Sequence, residues 1–223
     1  FSHFEYVKRL HGRDEGNISI FWFKYGWFWL IPLKDGTTSV GVVSWPQFLK
    51  TRDKKTNLDQ FLLETISLCP KLADRMETAK SILPAFATGN YSYTSKSVYG
   101  DNFLLIGDAA TFIDPVFSTG VYVAMKSGLL ASDVVNAWLK NPKNKGKLLN
   151  DYKIKIDRGL KTMSWLIYRM TAPAMQKLFM NPKNTFGILE TLMSILSGHV
   201  FDNRRKKYPY VLFKCLYYIV SLV

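Results

Sequence analysis

Histidine and cysteine are scarce in this chain: His3, His11 and His199 are the only histidines and Cys69 and Cys215 the only cysteines among 223 residues. Their spacing offers no metal-ligand pattern and supports no His-based catalytic triad. Two cysteines build no disulfide framework, a usage that suits a reducing cytoplasm. No two of the 14 glycines are separated by a single residue. The Gly-x-Gly-x-x-Gly phosphate loop therefore cannot occur here. No signal-peptide pattern is present. The most apolar terminal stretch, 208–223, is sixteen residues with Lys214 near its middle, short for a bilayer crossing. Acidic residues are also few, 17 against 30 Lys and Arg.

That imbalance is concentrated. Residues 1–138 carry a net charge of +1 and residues 139–223 one of +12. A basic C-terminal third fits an acidic partner, such as an acidic carrier protein or a membrane surface, or else a solvated helical face. No nucleic-acid-binding motif accompanies it, so nucleic acid is not expected. At 48% hydrophobic and 21% charged residues, the chain reads as globular.

Three successive strands are predicted over 17–24, 26–33 and 37–45, with Lys34-Asp35-Gly36 as a turn, an antiparallel meander. Leu58, Phe61, Leu62, Thr65 and Ile66 have helical spacing within 57–68, and Pro70 reads as the closing signal. Residues 82–99 read as extended and returning to the sheet. A helix is predicted from Gly120 to about Leu139, with Gly120, Ala124, Gly128 and Ala131 on one face for close backbone approach. Asn141-Pro142 ends it. Further helices are expected over 151–170 and 185–196, separated by Pro173 and Asn181-Pro182. Arg204-Arg205-Lys206-Lys207 then precedes the apolar end, which reads either as a packed terminal helix or as a segment lying on an anionic membrane. The expected divisions are 1–99, sheet-rich; 100–140, strand and helix; and 141–223, basic and helical.

The densest signal is Gly107-Asp108-Ala109-Ala110-Thr111-Phe112-Ile113-Asp114-Pro115-Val116-Phe117-Ser118-Thr119-Gly120-Val121. The apolar run Phe103–Ile106 suggests a strand, 102–106, that delivers the Asp108 carboxylate. A turn fixed by Pro115 and the start of a small-residue helix follow. A carboxylate can accept hydrogen bonds from ribityl hydroxyls, and a helix N-terminus favours the electron-rich edge of an isoalloxazine. Consecutive N–H groups at Ser118, Thr119 and Gly120 can form an anion nest; the same tripeptide also fits an ordinary Ser/Thr helix cap. About eighty residues earlier, Gly26-Trp27-Phe28-Trp29-Leu30-Ile31-Pro32-Leu33 places Trp27, Trp29 and Ile31 on one strand face, with Pro32 at an edge or strand end. The two indoles are either a wall beside a site or core residues of an aromatic sheet.

The order Gly-Asp-Ala-Ala, Asp-Pro, Ser-Thr-Gly resembles the second flavin motif of the hydroxylase-like FAD flavoproteins. Together with Trp-x-Trp-x-Ile-Pro it resembles the flavin-dependent halogenases, over about 17–138. The resemblance implies an α/β fold, α+β within these residues alone: an antiparallel substrate-side sheet, the returning strand and helix of an FAD domain, and a helical C-terminal region. It implies FAD, reduced by a separate flavin reductase, and a halide ion. Halogenation of an electron-rich aromatic would proceed through flavin hydroperoxide and hypohalous acid. It places Gly107, Asp108, Ala109, Pro115, Gly120 and Val121 at the cofactor, and Ser118, Thr119 and Gly120 at the halide. Trp27, Trp29, Ile31 and Pro32 would separate substrate from flavin. The family's catalytic Lys and its glycine loop precede the matched region, so the chain reads as a C-terminal piece that is inactive alone, with no catalytic residue and no metal of its own.

Phe117 departs from the tryptophan-acting members, where a Glu commonly precedes Ser-Thr-Gly. The chain is closer here to the phenol- and carrier-acting branch. The implied partners are a small phenol or pyrrole substrate, or an acidic carrier protein bearing one, and the flavin reductase. The implied setting is cytoplasmic, with peripheral membrane contact through the basic third. A flavin monooxygenase, a geranylgeranyl-reductase-like oxidoreductase and a non-catalytic module binding a membrane or protein partner are the alternative readings.

Overall fold

The computed structural model describes residues 1–89, 91–180, 184–201 and 207–222, and the chain divides into two compact units, Phe1–Gly89 and Asn90–Val223. In the first, β1 (Ser2–Glu5), β2 (Ser19–Phe23), β3 (Gly26–Pro32) and β4 (Thr38–Ser44) are followed by α1 (Pro46–Leu49), α2 (Leu58–Ser67), α3 (Pro70–Met76) and β5 (Lys80–Ser81). The strands form one antiparallel sheet in the order β2-β3-β4-β1-β5. The expected meander is its β2-β3-β4 part. Its second turn is held by Asp35, whose carboxylate accepts from the Thr37 N–H at 2.9 Å and hydroxyl at 2.7 Å. Those bonds hold the Asp35 carboxyl below its ordinary range.

Alternation along β3 sorts its side chains onto two faces. Phe28 and Leu30 are buried with Phe4, Val40, Leu62, Ile66, Leu72 and Met76, where α2 and α3 cover the sheet. Trp27, Trp29 and Ile31 occupy the other face. Asn57 caps α2 by accepting from the Gln60 N–H at 2.8 Å, as its position before the apolar run requires. Pro70 does not merely close α2. It opens α3 at its first turn, where a missing N–H costs nothing.

In the second unit, β6 (Tyr93–Thr94) pairs with β7 (Thr111–Phe112), and α4 (Gly120–Lys140), α5 (Lys145–Ile167), α6 (Pro173–Met180), α7 (Ile188–Leu196) and α8 (Lys207–Ser221) follow. The segment after β5 borders β1 only as far as Phe86, whose N–H donates to the Phe1 carbonyl at 2.8 Å. Its next paired stretch is β6, in a separate two-stranded ribbon. α5 begins one to two turns before the expected Asp151, because Leu149 continues the buried row of Tyr152, Ile156, Met163 and Leu166 upstream. Pro173 opens α6, and Phe186 and Gly187, both at positive φ, hold Thr185–Gly187 apart from α7.

α8 is the packed alternative for the apolar end. Tyr210, Phe213 and Tyr217 are buried, and all three rings meet Trp165 of α5 edge-on. Lys214 lies over the Tyr210 ring at 4.5 Å, an arrangement that favours a cation beside an aromatic face. Among the described residues no helix is long and apolar enough to cross a membrane. Arg204-Arg205-Lys206, the Lys207 side chain and Asn181-Pro182 lie outside the described residues. The structure thus has mixed α/β character, with an antiparallel sheet and a helical C-terminal region.

Candidate functional site

The Gly107-Asp108-Ala109 stretch is a 3-10 turn, with Gly107 at φ +51°. A Cβ on Gly107 would stand 2.8 Å from the Ala124 Cβ and 3.1 Å from its Cα. The turn therefore rests directly on α4. Its buried Gly107 N–H donates to the Ser127 hydroxyl at 2.9 Å, and that hydroxyl donates back into the helix, to the Val123 carbonyl at 2.7 Å. On the other side, the Tyr93 hydroxyl donates to the Asp108 carbonyl. Ser95 donates its hydroxyl to the Ala109 carbonyl at 2.9 Å and its N–H to the Ala110 carbonyl at 2.9 Å. The Asp108 side chain is exposed, and its carboxylate makes no hydrogen bond or ion pair among the described residues. It is held by its backbone and left open at its oxygens.

The expected strand 102–106 is not a strand. Only an isolated bridge, Tyr99 to Leu104, forms, and Phe103 and Ile106 are exposed. The run is extended, but its described backbone neighbour is the segment 98–100, bonded from the Leu105 N–H to the Val98 carbonyl at 2.8 Å and from the Gly100 N–H to the Phe103 carbonyl at 3.1 Å. A ladder needs a longer neighbour than that. Tyr152 anchors the run from α5, donating its hydroxyl to the Leu105 carbonyl at 2.8 Å. Burial pushes that phenol's pKa up to about 12.

Beyond β7, Asp114 accepts from the Val116 N–H at 3.0 Å and starts the 3-10 turn Pro115–Phe117. Burial raises the Asp114 carboxyl above its ordinary range. Burial first, and the Asp114 charge second, raise the Tyr91 hydroxyl. Phe117 stacks on Phe179 of α6 with centroids 6.2 Å apart. Ser118 is left-handed at φ 52°, and its N–H donates to the Pro115 carbonyl at 2.8 Å. The left-handed residue of this loop is thus Ser118, while Gly120 is the first residue of α4. Thr119 precedes α4 without a side-chain capping bond, so the ordinary Thr cap is not made. The first intrahelical acceptor is the Thr119 carbonyl, bonded by the Val123 N–H at 2.9 Å. The N–H groups of Gly120 and Val121 therefore lack intrahelical acceptors. Nothing lies within 4 Å of a Cβ built on Gly120, and Val121 is exposed. An open carboxylate in one turn and an open helix start after the next can receive hydroxyl donors and an anion, respectively.

In the first unit, Trp27 is buried and Trp29 half-buried, their rings 5.9 Å apart and tilted. The Trp29 indole N–H donates to the Ser39 hydroxyl at 3.2 Å. Across the ladder Trp29 faces Gly41, where a Cβ would stand 2.2 Å from the indole. Ile31 is half-buried on the same face, and Pro32 ends β3 against Thr38. β3 is an interior strand, so Pro32 sits at a strand end and not on a sheet edge.

Sequence reasoning missed Ser127, Tyr93, Tyr152 and Gly41, the residues that hold these elements in place. Ser127 carried a signal, a small hydroxyl three residues from Ala124 within the small-residue stretch. Gly41 carried one too, as a glycine inside a strand marks close approach. The two tyrosines carried none.

The family model described as tryptophan halogenase matches residues 19–178. A 1H-pyrrole-2-carbonyl-[peptidyl-carrier protein] chlorinase from Pseudomonas fluorescens is 34% identical over 185 residues, 80% of this chain and 39% of that protein. The solved myxobacterial chondrochloren halogenase, an FAD-dependent halogenase, superposes with a TM-score of 0.65 at 31% identity, over 74% of this chain and 39% of its own. A solved flavin-dependent brominase shares the fold at a TM-score of 0.83 and 24% identity, over 100% of this chain and 55% of its own. The chain spans about two fifths to a little over half the length of these relatives.

Proposed function

Because the chain belongs to the tryptophan halogenase family, we propose that the protein carrying it halogenates an electron-rich aromatic ring, a pyrrole or a phenol, using FAD and a halide ion. The observation that carries this reading is the pairing, in one loop system, of an open Asp108 carboxylate with an open α4 start at Thr119 and Gly120. The residues present fit a flavin. Gly107 lets its turn lie on α4, the Asp108 oxygens are unspent, and Gly120 leaves space where any side chain would intrude.

When bound, reduced FAD supplies the oxygen activation that converts halide into an electrophilic halogenating species. The chain's own residues bind and orient. Asp108 accepts from the ribityl hydroxyls, while Gly107 and Ala109 keep the turn flat beneath them. Pro115 shapes the approach to Ser118. The Thr119 and Gly120 N–H groups hold the halide, with Val121 beside the ring. Trp27, Trp29, Ile31 and Pro32 form the barrier that keeps an organic substrate from the cofactor.

The similarity to a carrier-protein chlorinase and the Phe117 substitution both favour a carrier-bound pyrrole or a phenol over free tryptophan. A basic C-terminal third suits an acidic carrier. The test supplies the protein carrying this chain with FAD, a flavin reductase, chloride or bromide, and a pyrrole-2-carbonyl carrier protein. One halogen replacing one hydrogen, by mass spectrometry, is the expected result. Oxygenated product without halide dependence would overturn the reading.

A further inference from the structure

Apart from the loops discussed above, the first unit holds a cleft of about 710 Å³ between the segment after β1, the outer strand β2 and the start of α3. Lys8, Arg9, Lys71 and Arg75 line it, against Asp74 alone on the acidic side. Asp74 is already taken, paired with the Lys8 ammonium at 3.1 Å. Arg9 reaches the Gly36 carbonyl at 2.6 Å and the Thr37 carbonyl at 3.1 Å, neutral acceptors that leave its charge uncompensated. Leu10, Ile20, Phe21 and Pro70 supply an apolar floor.

Arg75 is the unusual member. It is only 8% exposed, and no carboxylate lies within ion-pair distance of it among the described residues. Buried charges are ordinarily paired, because an unpaired one loses its hydration without return. Burial accordingly pulls the Arg75 pKa down. Its Nε donates to the Lys8 carbonyl at 2.8 Å and its Nη1 to the Ser19 hydroxyl at 2.8 Å. The Lys8 N–H in turn donates to the Arg75 carbonyl at 2.9 Å. Those bonds fasten the segment after β1 to α3, which is a structural task. They satisfy neither the charge nor Nη2, which has no partner among the described residues. A guanidinium fixed on two sides, with its remaining corner at a cleft that two further cations line, is arranged for an anion.

We infer that this cleft is a binding site for an organic phosphate, its phosphoryl oxygens on Arg75, Lys71 and Arg9 and its organic part on Leu10, Ile20 and Phe21. The site belongs to the first unit alone and does not depend on the halogenase reading. Phosphate is favoured over a carboxylate because three uncompensated cations converge, more than one carboxylate charge would occupy. The apolar floor favours an ester over the free ion.

The purified chain is titrated with butyl phosphate, inorganic phosphate and butyrate, by calorimetry and by chemical-shift perturbation of Arg and Lys side chains. Butyl phosphate is expected to bind saturably, more tightly than either other probe, and to weaken as salt rises. Lys71→Gln and Arg9→Gln, both on exposed residues, should each weaken it about five- to tenfold while melting as the parent does. Arg75→Lys should weaken it further and lower the melting temperature, since it also loses the fork to Lys8 and Ser19. A purely structural Arg75 predicts no effect of the Lys71 and Arg9 changes. That result, absence of saturable butyl phosphate binding, or butyrate binding as tightly as the phosphate ester would overturn the assignment.

Discussion

Replacing Gly107 by Ala tests whether the Asp108 turn is held by the geometry described. Two separate penalties arise. A residue with a Cβ at φ +51° enters the left-handed region at about 1–2 kcal/mol. The new Cβ would stand 2.8 Å from the Ala124 Cβ and 3.1 Å from its Cα, and a helix backbone yields little, so overpacking adds about 1–3 kcal/mol. The sum is a loss of about 2–4 kcal/mol for the second unit. Urea unfolding followed by far-UV circular dichroism reads it, because the helices lie mostly in that unit. The components separate by substitution. Gly107→Asn keeps the contact but tolerates the left-handed conformation better, so it should cost less than Gly107→Ala. Adding Ala124→Gly to Gly107→Ala should relieve the contact share and leave the backbone share. A Gly107→Ala cost of about 0.5 kcal/mol or less, the range of an indifferent surface change, would refute the reasoning. So would an Asn variant less stable than the Ala variant.

Gly41→Ala should cost about 1–3 kcal/mol and shift Trp29 fluorescence, because its Cβ would meet the indole at 2.2 Å; in a Trp29→Ala background the cost should vanish in the same urea titration. Asp114→Asn should raise the thermal midpoint at neutral pH and not well below pH 3.8. The folded carboxyl is raised, so stability falls as pH climbs from 3.8 through the folded pKa, and Asn removes that fall while still accepting from Val116. Tyr152→Phe leaves the Leu105 carbonyl unpaired and should cost about 1–3 kcal/mol in denaturant titration. The parent should also lose stability between pH 10 and about 12, the window between the phenol's ordinary and folded values, and the Phe variant should lose less.

The meander was legible because Trp27, Phe28, Trp29 and Leu30 alternate and Lys34-Asp35-Gly36 separates β3 from β4. The 102–106 strand was not, since a short apolar run says nothing about whether a neighbour is there to pair with it. Pro70 and Pro173 misled for a related reason. Proline is excluded from a helix interior but welcome in its first turn, so it marks a boundary without saying which side is helical. The loop from Gly107 to Gly120 was legible as a string, and α4 begins where that string places it. Which N–H groups remain open was not legible. Ser118 spends its own on Pro115, a bond that depends on the turn's exact dihedrals. The cleft around Arg75 was invisible because its cations come from segments more than sixty residues apart, brought together only by the sheet's edge and α3.

The Ser127 hydroxyl gives and receives at once, taking the Gly107 N–H and passing its own proton to Val123. The turn and the helix are therefore fastened at a point one residue from Asp108 and two helical turns from Gly120. Any tilt of α4 carries the turn with it, so fluctuations that displace the two elements are expected to displace them together. The Gly107 amide should be among the slowest in this loop system to exchange its proton for deuterium, and Ser127→Ala should speed that exchange while Asp108 loses its fixed spacing from the helix start.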